Sequence, residues 1–100
     1  MRLIDLAKVI RSKNAGPLTL TLDIMFEDRA GYDTFVQSPA LDTARIAKLY
    51  GVDPDTVRIM PYPVALAVKI SMPRHMPAGG PGDRDVYGAQ QHAPILELEL

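Results

Sequence analysis

Strict alternation of apolar and polar residues marks the stretch PLTLTLDIMF, from Pro17 to Phe26. Every second residue in it is large and apolar: Leu18, Leu20, Leu22, Ile24 and Phe26. Period two is the spacing of side chains on one face of a β-strand, so the pattern predicts a strand that is buried on one face only. Such a strand is typical of an antiparallel or mixed sheet.

Three later stretches predict further strands. The first runs from about Thr56 to Pro61, and because Pro61 and Pro63 lack a backbone N–H donor, we expect it either to lie at a sheet edge or to end there. ALAVKISM, residues 65–72, alternates again. PILELEL, residues 94–100, predicts a C-terminal strand with its leucines facing inward and its glutamates facing outward.

Helical spacing appears between these strands. EDRAGYDTFVQS, residues 27–38, carries its apolar residues at helical intervals, and LDTARIAKLYG, residues 41–51, predicts a second helix. Asp42 is its expected N-cap, and Gly51 its expected left-handed C-terminal residue. DVYGAQQ, residues 85–91, predicts a third, short helix.

The N-terminal segment is ambiguous. Its apolar residues Leu3, Leu6, Ala7 and Ile10 fit a helix, and a short strand fits nearly as well. RSKNAGP, residues 11–17, then contains serine, asparagine, glycine and proline, which predicts a loop.

The order from Leu18 onward is strand, helices, strand, strand, short helix, strand, which is the split βαβ or ferredoxin-like order. The sequence therefore predicts an α+β fold, with a four-stranded antiparallel sheet and its helices on one face. One hundred residues suit one domain. We expect residues 1–16 to form an N-terminal segment and loop, and residues 17–100 to form the βαββαβ core.

The face of the sheet opposite the helices is predicted to mix small, polar and apolar residues. Its expected members are Thr19, Thr21, Asp23, Met25, Arg58, Met60, Tyr62, Ala65, Ala67, Lys69, Glu97 and Glu99. Two interpretations stay open: a surface facing solvent, or a docking face for another copy or another chain. RNA-recognition domains stack bases on several aromatic residues in a basic field, whereas this face offers Tyr62 alone beside three acids. We therefore expect no nucleic-acid partner.

Composition narrows the class of protein. The formal net charge is −1, which gives no attraction to nucleic acid or anionic lipid. The sequence has no cysteine, which excludes thiolate chemistry and suits a reducing compartment. No apolar run approaches the ~20 residues of a membrane span, and Asp5, Lys8 and Arg11 interrupt any secretory signal. The expectation is a cytoplasmic protein that does not enter a membrane.

Two segments are candidates for binding chemistry. Arg11, Ser12, Lys13 and Asn14 combine cationic groups with loop amides that could hold a carboxylate or phosphate; the alternative is an exposed turn with solvated charges. The glycine- and proline-rich residues 76–83 are a poor phosphate cradle, because prolines donate no amide. We interpret that stretch as a connector or a lid.

The two histidines, His75 and His92, lack the spacing of a metal site, so we expect no metal. His92 is the candidate general base, with Asp83 or Asp85 orienting it. The alternative is that His92 satisfies backbone groups between the short helix and the last strand.

The chain as a whole resembles a family of uncharacterised proteins of about a hundred residues that accompany acyclic-terpene-utilisation (AtuA-like) proteins. The stretches that carry the resemblance are LIDLAKVIRSKNAGP, LTLDIMF, IAKLYGV and DVYGAQQHAPILELEL. A weaker resemblance, to the C-terminal ferredoxin-like domain of AtuA-like proteins themselves, rests on Leu6, Ala7, Arg11, Ser12, Gly16, Gly79 and Gly80. The sequence departs from that pattern at residues 13–15.

The resemblance implies an accessory or small subunit that docks onto a large AtuA-like subunit, with hydratase or lyase chemistry on carboxylic acids or acyl-thioesters. No cofactor is implied. The residues expected to bind an acidic substrate are Arg11, Ser12, Lys13, Asn14, Asp85, Tyr87, Gln90 and Gln91. Two alternatives stay open: a free-standing, homo-oligomeric small enzyme that uses His92, and a ligand-binding or structural module without turnover.

Overall fold

The computed structural model describes residues 2–14, 18–73, 93–96 and 98–100, and every structural statement below concerns these residues. They form four helices and four strands, together with two 3-10 turns at Pro54–Thr56 and Pro63–Ala65. In chain order the helices and strands are α1 (Leu3–Leu6), β1 (Val9–Asn14), β2 (Thr19–Met25), α2 (Arg29–Val36), α3 (Thr43–Tyr50), β3 (Arg58–Tyr62), β4 (Ala67–Pro73) and α4 (Ala93–Leu96).

The four strands form one antiparallel sheet in the order β1-β2-β4-β3. The α+β class and the ferredoxin-like arrangement predicted from the sequence are confirmed. Strands β2 and β4 occupy the centre, and β3 is an edge strand, as Pro61 required.

The hydrophobic core lies between the sheet and the helices. The alternating residues of β2 and β4 that were predicted to face inward are buried: Leu20, Leu22, Ile24, Val68, Ile70 and Met72. They pack in one cluster with Leu3 of α1, Phe35 of α2, Ile46 of α3 and Ile95 of α4. The helices of the described chain thus share one face of the sheet, because every one of them contributes to the same core.

The two longer helices begin and end where the sequence indicates. The Asp28 side chain accepts a hydrogen bond from the Gly31 backbone N–H at 2.8 Å and so caps α2. Asp42 occupies the N-cap position of α3, although its side chain accepts no capping hydrogen bond. Gly51 adopts the predicted left-handed conformation, with φ 67° and ψ 35°, and the Val52 N–H then bonds to the Ala47 carbonyl at 3.0 Å.

The predicted loop at the start of RSKNAGP is wrong for residues 11–14, which belong to β1. The N-terminal segment contains both of the structures that its pattern allowed, since the helix Leu3–Leu6 is followed by the strand Val9–Asn14. β1 pairs with β2 along its whole length, from Val9 opposite Met25 to Asn14 opposite Leu20. Backbone pairing with β2 therefore outweighs the weak strand preference of serine and asparagine.

The predicted C-terminal strand is also wrong. Residues 93–96 are helical, and Glu99 makes only an isolated bridge to Arg2. The position beside β2 that a fourth strand would take is occupied by β1, which is close to β2 in sequence and pairs at a lower loop-closure cost. The C-terminal residues instead pack on α1, where the Leu3 N–H donates to the Leu98 carbonyl at 2.9 Å.

The inward orientation predicted for the last leucines is confirmed for Leu98 and Leu100, since both are half-buried against the core.

Within the residues described above, no helix is both long and apolar enough to cross a membrane. The predicted division into residues 1–16 and 17–100 of a single domain stays a prediction. The predicted helix 85–91 and the glycine–proline stretch 76–83 lie outside the described residues.

Candidate functional site

The face of the sheet opposite the helices, here called the open face, follows from the strand register. Residues that pair directly across antiparallel strands point to the same side, so the register fixes the members of each face. The members of the open face are Val9, Arg11, Lys13, Thr19, Thr21, Asp23, Met25, Arg58, Met60, Tyr62, Ala67, Lys69, Ser71 and Pro73. All residues predicted for this face from β2, β3 and β4 lie on it.

Polar and apolar residues are segregated on the open face into rows that run across the four strands. One row is apolar and consists of Val9, Met25, Ala67 and Tyr62. The next row carries charge and consists of Arg11, Asp23, Lys69 and Met60. An apolar strip therefore lies directly beside a charged one.

Asp23 is the centre of the charged row. Its Oδ2 lies 3.4 Å from Arg11 Nε and 3.7 Å from Lys13 Nζ, both on β1. The Asp23 side chain is only 12% exposed, whereas those of Arg11 and Lys13 are 60% and 55% exposed. The carboxylate thus holds two cations over the middle of the sheet, while their outer surfaces stay accessible to water or to a ligand.

Lys69 lies on the other neighbouring strand, β4, opposite Asp23 in the β2–β4 register. Its Nζ lies 6.0 Å from the centre of the Tyr62 ring, which is the outer limit of a cation–π contact. Among the described residues Lys69 forms no ion pair. Asp23 is therefore paired with two cations, and a third, Lys69, lies on the same face with its amine near Tyr62.

The open face is positively charged although the whole chain carries −1. Of the residues in the four described strands, it bears the basic Arg11, Lys13, Arg58 and Lys69 and one acid, Asp23. This differs from the expectation from the sequence, because the predicted C-terminal strand would have brought two glutamates to the face. With β1 in that position, an arginine and a lysine join the sheet instead, and Glu99 lies at the bridge to Arg2.

A groove of about 320 Å³ runs over the boundary between the two rows. Its charged lining consists of Arg11, Lys13, Asp23 and Lys69. Its apolar lining includes Met25, Tyr62, Ala65 and Ala67. The groove can therefore accommodate a molecule with an anionic end and an apolar end.

The residues predicted to bind an acidic substrate divide between two faces. Arg11 and Lys13 come together in the groove, whereas Ser12 and Asn14 alternate to the helix side of β1, where Ser12 is buried. The remaining candidates lie outside the described residues: Asp85, Tyr87, Gln90, Gln91 and the proposed base His92. Their roles stay predictions.

Asp23 and Lys69 were not identified as site residues from the sequence. The alternating pattern had placed both on the open face, but their convergence with Arg11 depends on β1 being the neighbour of β2. No group of three or more side chains able to hold a metal ion occurs in the described part of the chain.

Comparison with known proteins identifies a family. No curated protein and no solved structure matches the chain. Residues 3–99 match the family described as "Domain of unknown function (DUF4387)", which spans nearly the whole sequence. The chain therefore belongs to the DUF4387 family.

Proposed function

We propose that this protein is an accessory subunit of a cytoplasmic metabolic enzyme complex, and that it docks through the open face onto a large AtuA-like subunit. The groove then holds the acidic group of the substrate at the interface. The large subunit carries out the chemistry, hydration or elimination on a carboxylic acid or acyl-thioester. The observation that supports this proposal is the presence of three cations in one groove, beside an apolar row, on the face of the sheet that none of the described helices covers.

The residue types of the open face support docking. The centres of protein interfaces are enriched in tyrosine, methionine and arginine relative to the rest of the surface. The open face carries Met25, Met60, Arg58 and Tyr62, and Tyr62 is 47% exposed. Beyond Tyr62, Val64 at the tip of the β3–β4 connection is fully exposed. Contact with a second protein would remove this apolar surface from water, which stabilises a complex by roughly 25 cal/mol for each Å² buried.

The charge of the open face favours a partner of different sequence over a second copy. In a two-fold dimer the same patch meets itself, so four basic residues on one copy would face the same four on the other. Like charges brought together at an interface cost several kcal/mol. A partner with acidic side chains on its contact surface avoids this repulsion.

The family resemblance supports the identity of the partner. The weaker likeness to the C-terminal domain of AtuA-like proteins includes Arg11 and Ser12, and Arg11 lies in the groove. A separately encoded copy of such a domain would take the position that the fused domain has in the larger proteins.

Co-purification with a large AtuA-like subunit tests the proposal. The two chains are co-expressed, and size-exclusion chromatography and calorimetry measure complex formation. Arg58→Glu changes the open face without touching the groove lining, and Arg45→Glu on α3 makes the same charge change on an exposed helix position. We expect the first variant to weaken binding at least tenfold and the second to leave it unchanged.

Three results would contradict the proposal. In the first, the large subunit does not bind the wild-type chain. In the second, both variants bind equally well, so that docking uses another surface. In the third, the isolated chain turns over an acidic substrate by itself and loses that activity in His92→Ala, which is the behaviour of a free-standing enzyme.

A further inference from the structure

We propose that the groove is a binding site for a small organic acid with an apolar body. The carboxylate lies among Arg11, Lys13 and Lys69, and the body lies along the apolar row over Ala67. This inference rests on the proposed function for its biological setting, but the site itself is formed by this chain alone.

The cationic end is organised before a ligand arrives. Asp23 holds Arg11 and Lys13 within 3.4 and 3.7 Å of a single oxygen, so the two cations lie on one side of the groove. More than half of each cation's side-chain surface stays exposed and can contact a ligand. Lys69 provides a third positive charge from β4. One carboxylate does not neutralise three cations, so the end of the groove attracts a further anion.

Small residues shape the apolar end. Ala67 pairs with Met25 on one side and with Tyr62 on the other. The alanine side chain is a single methyl group, so Ala67 forms the bottom of the groove here, and the longer side chains of Met25 and Tyr62 form its two sides. Ala65 extends the apolar lining beyond Tyr62.

Size and polarity select the class of ligand. A volume of about 320 Å³ is at the lower end of the range of small-molecule pockets, which suits a small acid better than a nucleotide-sized cofactor. Inorganic phosphate would satisfy the cations but leave the apolar end in water. A fatty or branched acid uses both ends.

Calorimetric titration of the isolated wild-type chain tests the assignment with four probes: hexanoate, acetate, hexanamide and inorganic phosphate. Hexanoate has four more methylenes than acetate, and each fully buried methylene is worth about a factor of four in affinity. Because the groove is open on one side, we take half of that burial, a factor of about two for each methylene, and we expect hexanoate to bind roughly fifteenfold more tightly than acetate. Hexanamide has nearly the same shape without the charge, and we expect it to bind at least tenfold more weakly than hexanoate.

Variants locate the site. The pair Arg11→Gln and Lys13→Gln should reduce the affinity for hexanoate to that for hexanamide. The matched pair Arg45→Gln and Lys48→Gln makes the same substitutions on exposed positions of α3 and should leave the affinity unchanged. Tyr62→Ala should remove most of the difference between hexanoate and acetate, whereas Val64→Ser, which is exposed but does not line the groove, should not. Thermal melting of every variant confirms that it is folded.

Three outcomes would overturn the assignment: no saturable binding of hexanoate at millimolar concentrations, phosphate binding as tightly as hexanoate, or an effect of the α3 pair equal to that of the groove pair. The test separates this inference from the docking proposal. If hexanoate fails to bind and Arg58→Glu still weakens the complex, the ligand assignment is wrong and the accessory role stands. If hexanoate binds and no large subunit does, the ligand assignment stands and the accessory role is wrong.

Discussion

Replacing Asp23 by asparagine removes the one negative charge that the four described strands place on the open face, while keeping the size of the side chain. Two effects oppose each other. The buried carboxylate loses part of its hydration on folding, and a neutral amide would avoid that cost. The substitution also leaves Arg11 and Lys13 without their shared counter-charge, and it replaces the ionised acceptor of the Arg11 hydrogen bond by a neutral amide oxygen.

The loss of the counter-charge should outweigh the gain from avoiding the desolvation of the carboxylate. Each pair involves a cation that is more than half exposed, so each contributes only about 0.2–1 kcal/mol. The two ion pairs together contribute about 0.4–2 kcal/mol, so we expect Asp23→Asn to lower the free energy of unfolding by about 1 kcal/mol in total. In a domain of this size that corresponds to a fall in Tm of roughly 4–8 °C.

Urea denaturation of wild type and variant, followed by circular dichroism, measures this difference. Asp33→Asn is the control, because Asp33 also bonds an arginine, Arg29 at 3.2 Å, but on an exposed helix surface. We expect a loss below about 0.5 kcal/mol there. The Asp23 effect should shrink when salt is raised, since the exposed cations are screened. Equal losses in the two variants, or a gain in stability for Asp23→Asn, would refute the view that the carboxylate organises the groove.

Three further predictions concern the fold. Leu3→Ala should lower the free energy of unfolding by about 2–5 kcal/mol in urea melts, because Leu3 is completely buried, whereas Ile4→Ala next to it, 45% exposed, should have little effect. Gly51→Ala should cost about 1–2 kcal/mol, since alanine is strained at φ 67°, and a loss no larger than that of Ala44→Gly on the exposed side of α3 would contradict this. Burial raises the pKa of Tyr50 well above its ordinary value, against a smaller opposing effect of its hydrogen bond with the Ile95 backbone. The folded state thus favours the neutral phenol, so stability is complete below about pH 10 and falls above it. Denaturation at about pH 9 and about pH 11 should show that Tyr50→Phe loses less of its free energy of unfolding between these pH values than wild type does. An equal loss would mean that other groups cause the alkaline destabilisation.

The sequence predicts the centre of the sheet well, because the signal there is local and strong. β2 and β4 each alternate without interruption, so Leu22 and Ile70 had to share the buried face. The end of α3 was equally clear, since a glycine after the last apolar residue has a direct conformational reason.

The part of β1 from Arg11 to Asn14 was predicted as a loop for a physical reason as well. The helix side of β1 carries Ile10, Ser12 and Asn14, only one of which is strongly apolar, so hydrophobic periodicity gives almost no signal there. At the C-terminus, the alternating pattern correctly predicted that Leu98 faces inward, but it also predicted a strand. Which of two segments pairs with β2, residues 9–14 or residues 94–100, cannot be read from the pattern of either segment alone.

The candidate site depends on that same competition. Arg11 and Lys13 were identified from their residue types, but the contact with Asp23 and the position of Lys69 require the register of three strands. With β1 and not the predicted C-terminal strand beside β2, a weakly acidic face becomes a basic one, which is why the charge of the groove could not be predicted.

The central claim is that the open face around Asp23 binds an acidic ligand. Backbone amide shifts of the ¹⁵N-labelled protein during a hexanoate titration test it most directly. We expect saturable shifts at Arg11, Asp23 and Lys69, with the amides of α3 unchanged. Shifts that centre on the helices, or that spread over the surface without saturating, would contradict it.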